Sequence, residues 1–155
     1  MPHIHEKIDF CVEVFVVYKN KVLLRKHDKY HIWLSVGGHI ELDEDPNQAA
    51  IREVKEEVGL DVELYFNHNH PLWKYADYKE LIPPIFMNRH RINENHEHVT
   101  LTFFAKAKTD ELVLSETEKT ENCKWFNSEE LESAKDIKED IKFYALKALE
   151  TLIEN

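Results

Sequence analysis

The run "IDFCVEVFVVY" at residues 8 to 18 limits the possible folds more than any other stretch of the chain. Its β-branched and aromatic residues fall at odd and even positions alike, so as a strand it presents apolar side chains to both faces of a sheet. Such a strand belongs at the centre of a sheet covered on each side, and helices are the natural cover. The sequence supplies them. "EDPNQAA" places Pro46 near the start of a helix over about residues 46 to 58 that stops at Gly59. A short helix is predicted at "SEELESA" with Ser128 as N-cap, and a longer one from Ile137 to about Ile153. The longer helix carries an apolar stripe of Ile141, Tyr144, Ala145, Ala148, Leu149 and Leu152. Further strands are expected at residues 22–26, 32–36, 60–66, 84–92, 98–108 and 122–127. The expected architecture is an α/β sandwich, a mixed β-sheet between helices, in a single domain over residues 1–155.

Charge narrows the partners. A formal net charge of −10 disfavours non-specific binding to nucleic acid or anionic membranes, while phosphates remain reachable through metal ions. No apolar stretch of about 18 residues occurs, and "MPHIHEKIDF" lacks the basic and apolar regions of a signal peptide, so a soluble, cytoplasmic protein is expected. Cys11 and Cys123 read as reduced thiols, and no zinc pattern is present. "SETEKTEN" (115–122) reads as an exposed loop. No specific feature bears on oligomeric state, although a homodimer is compatible with the sequence.

The chemistry concentrates in "REVKEEVG", residues 52–59. At about 100° per residue, Glu53, Glu56 and Glu57 share one helix face, where like charges repel. That face borders the apolar arc of Ala50, Ile51, Val54 and Val58, so the carboxylates sit at a core margin unless a cation compensates them. A hard divalent ion such as Mg²⁺ suits oxygen donors of this kind and commonly bridges carboxylates to phosphates. For "REVKEE" alone, a solvated acidic face relieved by Lys55 explains the residues as well. The three glycines of the chain, Gly37, Gly38 and Gly59, all fall in the same segment. The glycine pair is expected to turn the backbone sharply and open it to a ligand, and Gly59 to end the helix.

From Gly38 there are five residues to Glu44, seven more to Arg52, then Glu53, Val54, Glu56, Glu57, Gly59 and Leu60. This resembles the Nudix box, G-x5-E-x7-R-E-U-x-E-E-x-G-U with U aliphatic, at every position. The resemblance implies an α/β/α sandwich and Mg²⁺- or Mn²⁺-dependent hydrolysis of a diphosphate linkage in a small nucleoside diphosphate derivative. It makes Glu53, Glu56 and Glu57 metal ligands, with Glu53 also a candidate base. Glu44 and Arg52 become a supporting pair, and a backbone carbonyl at Gly37 or Gly38 a further ligand. A nucleotide-sensing module without turnover is the alternative, and such modules would be expected to lose box carboxylates that this chain keeps. Val36 departs from the proline that many members carry before the glycine pair.

Outside the box, the resemblance implies one more acid in "SETEKTENCKWF", with Glu118 or Glu121 favoured over Glu116 as catalytic base. Arg25 is a candidate phosphate contact, against an exposed strand end. Trp33, Tyr30 and Phe86 are candidate stacking partners for a base, against core packing. His96 and His98 alternate along one strand, so they face one side and could contact an anionic substrate or metal, against plain surface histidines.

Overall fold

In the computed structural model, which describes residues 4–27, 30–115 and 122–155, the two-faced apolar run is strand β1 (Ile8–Tyr18). β2 (Lys21–Lys26) and β4 (Val36–His39) run antiparallel to it, and the short β3 (Trp33–Leu34) pairs with β2. β9 (His96–Ala107) lies parallel on the other edge of β1, with β8 (Phe86–Asn93) antiparallel to β9. Adding β5 (Val62–Leu64) and β10 (Cys123–Phe126) gives the order β10-β2-β1-β9-β5. The β1–β2 turn has Lys19 and Asn20 at φ 44° and 61°, the positive-φ pair that matches the twist of a two-residue hairpin.

Alternation along β1 sorts its side chains into two cores. Val12, Val14 and Val16 pack with Ala49, Ala50, Val54 and Val58 of helix α1 (Pro46–Val58). Phe15 and Val17 pack on the opposite face with Leu131 of α2 (Ser128–Ser133) and with Ile141, Ala145, Ala148 and Leu149 of α3 (Glu139–Thr151). Each fully buried Val or Phe is worth roughly 1.5–3 kcal/mol of transfer free energy, which makes β1 the organising strand. The chain is therefore a mixed α/β sandwich, as its sequence indicates. No described helix is long and apolar enough to cross a membrane.

Several details differ from the sequence reading. Gly37 and Gly38 are extended residues of β4, paired with Glu13 and Val12, rather than a sharp turn. The strand expected at 32–36 divides at Ser35 into β3 and β4. Ile51, placed by periodicity beside the core, is 44% exposed because α1 buries a narrower stripe. The N-cap of α2 is Asn127 rather than Ser128: its side chain accepts from Glu130 N at 2.8 Å, and Glu130 reaches back to Asn127 N. A hairpin of β6 (Lys74–Tyr75) and β7 (Tyr78–Lys79), held by stacked Tyr75 and Tyr78 rings 4.9 Å apart, has no strong turn signal in the sequence. The loop read at 115–122, with Glu116, Glu118 and Glu121, falls largely on residues 116–121, outside the described residues.

Helix α1 is bounded firmly. Asp45 accepts from Gln48 N and Gln48 Oε1 from Asp45 N, both at 2.9 Å, and Pro46 begins the first turn. At the other end Gly59, at φ 73°, donates its N–H to Lys55 O. Asp45→Ala should lower stability by about 1 kcal/mol, as loss of an N-cap does. Urea unfolding that shows a lower midpoint at unchanged slope checks it.

Candidate metal and phosphate site

α1 lies against β4, so the acidic edge of the helix meets the glycine pair. The fit explains both glycines through space rather than conformation. A Cβ on Gly38 would stand 2.5 Å from Glu53 Cδ, and one on Gly37 would run into the β1 backbone at Val12. Glu53 is thereby buried to 3% exposure, between strand and helix.

Arg52 gathers the loop and the helix. Its Nε donates to Glu44 Oε2 at 2.9 Å and its Nη2 to Glu44 Oε1 at 2.6 Å and to the His39 carbonyl at 3.0 Å. Its Nη1 reaches Glu53 Oε1 at 3.0 Å and Glu56 Oε2 at 3.1 Å. The hydrogen bonds from Arg52 hold the Glu44 carboxyl below the usual range, and Glu44 in return raises the guanidinium. Burial pushes Glu53 the other way, upward, against the lowering effect of Arg52. Glu57 turns to another cation: its Oε2 lies 3.2 Å from Arg25 Nε and 3.4 Å from Gly37 N. The three box carboxylates thus share a helix face and are spread between two guanidinium groups. All the donors are carboxylate oxygens beside strand backbone, a set that suits a hard cation such as Mg²⁺ or Mn²⁺.

Beside this edge opens a cleft of about 800 Å³, lined among others by Gly37, Gly38, Glu57, Arg25, His27 and His98. Glu57, Gly38, Arg25 and His98 are thus brought together on its wall, while Glu53, Glu44 and Arg52 stand behind it. Trp33 and His96 lie elsewhere. The Trp33 ring packs edge-on to Phe126 at 5.1 Å and its Nε1 donates to Asp136, and His96 is buried beside Asp9. Phe86 stacks on Tyr144 at 4.7 Å, and the exposed Tyr30 stacks on His27. Sequence reasoning missed Glu13, which also lines the cleft. Its carboxylate accepts from Thr102 Oγ1 at 2.5 Å and Ser35 Oγ at 3.2 Å, and burial raises its pKa. The signal was available: one acid inside an apolar strand.

A NUDIX domain model matches residues 10–147. A solved hydrolase of the NUDIX family from Clostridium perfringens is 36% identical, with a TM-score of 0.81 over 93% of this chain and 97% of that one. The m7GpppN-mRNA hydrolase NUDT17 of Xenopus laevis is 28% identical over 79% of this chain and 42% of its own length. A dihydroneopterin triphosphate diphosphatase of Haemophilus influenzae is 46% identical over 52 residues, 33% of each chain. The matched regions thus cover less than half the length of these curated relatives.

The burial of Glu53 has a pH signature. A carboxyl whose folded pKa is raised stabilises the fold fully below its unfolded value, near 4.5, and loses that contribution as pH rises through the folded pKa. In chelator, Glu53→Gln should therefore melt at or above the parent at pH 7, with the difference shrinking toward pH 4.5. Melting curves across that range check it, and a variant less stable at pH 7 would contradict it.

Proposed function

Because the chain belongs to the NUDIX family, we propose that it is a divalent-metal-dependent hydrolase of a P–O–P linkage in a small nucleoside diphosphate derivative. The observation that carries this reading is the complete box, with Glu53 packed against Gly38 and Glu57 beside it on the wall of a cleft. The relatives' names, a triphosphate diphosphatase and an m7GpppN-mRNA hydrolase, support a substrate with linked phosphates.

Nudix hydrolases generally use divalent metals, and Glu53, Glu56 and Glu57 with the Gly38 carbonyl would hold Mg²⁺ or Mn²⁺. Bound there, the ion supplies charge neutralisation at the phosphate oxygens. The residues divide the remaining work. Arg52, fixed by Glu44, orients Glu53 and Glu56. Arg25 and His98 face the cleft, where a phosphate can replace Glu57 as the partner of Arg25. Glu53 is the candidate base within the described residues, its burial moving its pKa toward the working range of a general base. Glu118 and Glu121, the candidates beyond the box, lie outside the described residues.

A panel of nucleoside triphosphates, ADP-ribose, nucleotide sugars and dinucleoside polyphosphates, assayed for released phosphate and nucleotide, tests the reading. Turnover should require Mg²⁺ or Mn²⁺ and vanish in chelator while the fold persists. Glu56→Gln and Glu57→Gln should each lower it by about 10²-fold or more, since each removes a charged donor. Unchanged rates in both variants would overturn the assignment.

A further inference from the structure

We infer that Asp9, His39, His96 and His98 form a closed binding site for one zinc-type divalent transition-metal ion, separate from the carboxylates of α1. The inference is independent of the proposed hydrolysis. The four side chains come from three adjacent strands: Asp9 from β1, His39 from the end of β4, and His96 and His98 from the start of β9. Asp9, His39 and His96 are each buried to 6% exposure or less. Among the described residues, the carboxyl and imidazole atoms of Asp9, His96 and His98 converge within 4.8 Å, and His39 with Cys11 converges on His98 in the same way.

Three of the six edges have the size expected in a coordination tetrahedron. His39 Nε2 lies 3.2 Å from His98 Nε2 and 3.5 Å from Asp9 Oδ2, and His96 Nε2 lies 3.2 Å from Asp9 Oδ2. Zinc bonds of about 2.0–2.1 Å at tetrahedral angles put neighbouring ligand atoms about 3.3–3.4 Å apart. The tautomer of His96 strengthens the case. Its Nδ1 faces the Glu6 carbonyl at 3.3 Å, and because a carbonyl only accepts, Nδ1 carries the proton and donates. Its Nε2 lies 3.2 Å from Asp9 Oδ2, so that one ion can be held by both. A ring nitrogen bonded to a backbone carbonyl is also the usual support of a metal-bound histidine. Asp9 is fixed similarly, by the N–H groups of Ile4 and His5.

The chemistry of the set selects the ion. Three imidazoles and one carboxylate suit zinc and its neighbours, whereas Mg²⁺ demands oxygen. Four protein ligands close the coordination sphere, which makes the site structural and pins the first residues of the parallel β1–β9 pair.

The test uses the full chain, stripped by chelator and refilled with excess Mg²⁺ to occupy the oxygen-donor site. Added Co²⁺ should bind in one equivalent with the intense visible absorption of a tetrahedral site, and Zn²⁺ should displace it and raise the melting temperature. Glu57→Gln should leave this binding intact. His98→Asn, at a half-exposed position where circular dichroism can verify the fold, should weaken it by at least about 10-fold, the lower end of what losing even a supporting ligand contact costs. Asp9→Asn should do the same. No Co²⁺ binding, an octahedral spectrum, or equal affinity in His98→Asn would overturn the proposal, as would loss of binding in Glu57→Gln.

Discussion

The guanidinium of Arg52 is the point at which this structure closes. It ties the loop acid Glu44, the helix acids Glu53 and Glu56, and the last carbonyl of β4 into one hydrogen-bonded unit. Without it, a carboxylate at 3% exposure would face two other acids across the same helix turn, a placement that desolvation and repulsion both oppose. Arg can do this where Lys cannot, because its fixed fork satisfies several oxygens at once. The acidic edge is therefore a scaffolded feature, held in place by the fold itself.

The two guanidinium groups treat the carboxylates differently. Arg52 stands largely on the helix side and shares bonds with four oxygen-bearing groups, so removing any one leaves it engaged. Arg25 comes from β2, across the cleft edge, and its Nε lies 3.2 Å from Glu57 Oε2. The first arrangement joins loop, helix and strand, and the second lines the cleft. The proposed site, which would hold its acids and yet admit a charged ligand, needs both kinds of contact.

The sequence made the sheet legible through β1, whose two-sided apolar pattern has no other stable home, and made α1 legible to the residue through Pro46 and Gly59. The box glutamates were equally readable, because helix spacing is local geometry, and the Arg52–Glu44 pair was implied by the resemblance to the box. What escaped was whatever depends on packing between distant segments. The glycine pair looked like a turn because the carboxylate that excludes a Cβ at Gly38 is fifteen positions away in the chain. The histidine cluster escaped because its members are brought together by strand register, His98 beside Asp9 and His39 beside Cys11. The cap of α2 moved by one residue because Asn127 and Ser128 are both good caps, and only the reach to Glu130 chooses between them.

The contact between Gly38 and Glu53 also shapes how such a chain can drift. Because one carboxylate fills the volume a methyl would need, the two positions are not free to vary separately. A side chain at 38 becomes tolerable only after 53 has shortened, and shortening 53 gives up the buried acid first. Substitutions here are thus ordered: loss of the acid opens the path to losing the glycine, and the reverse route passes through a clash. A descendant that had abandoned the chemistry could accumulate bulk at the strand, whereas one that kept it would remain confined to glycine.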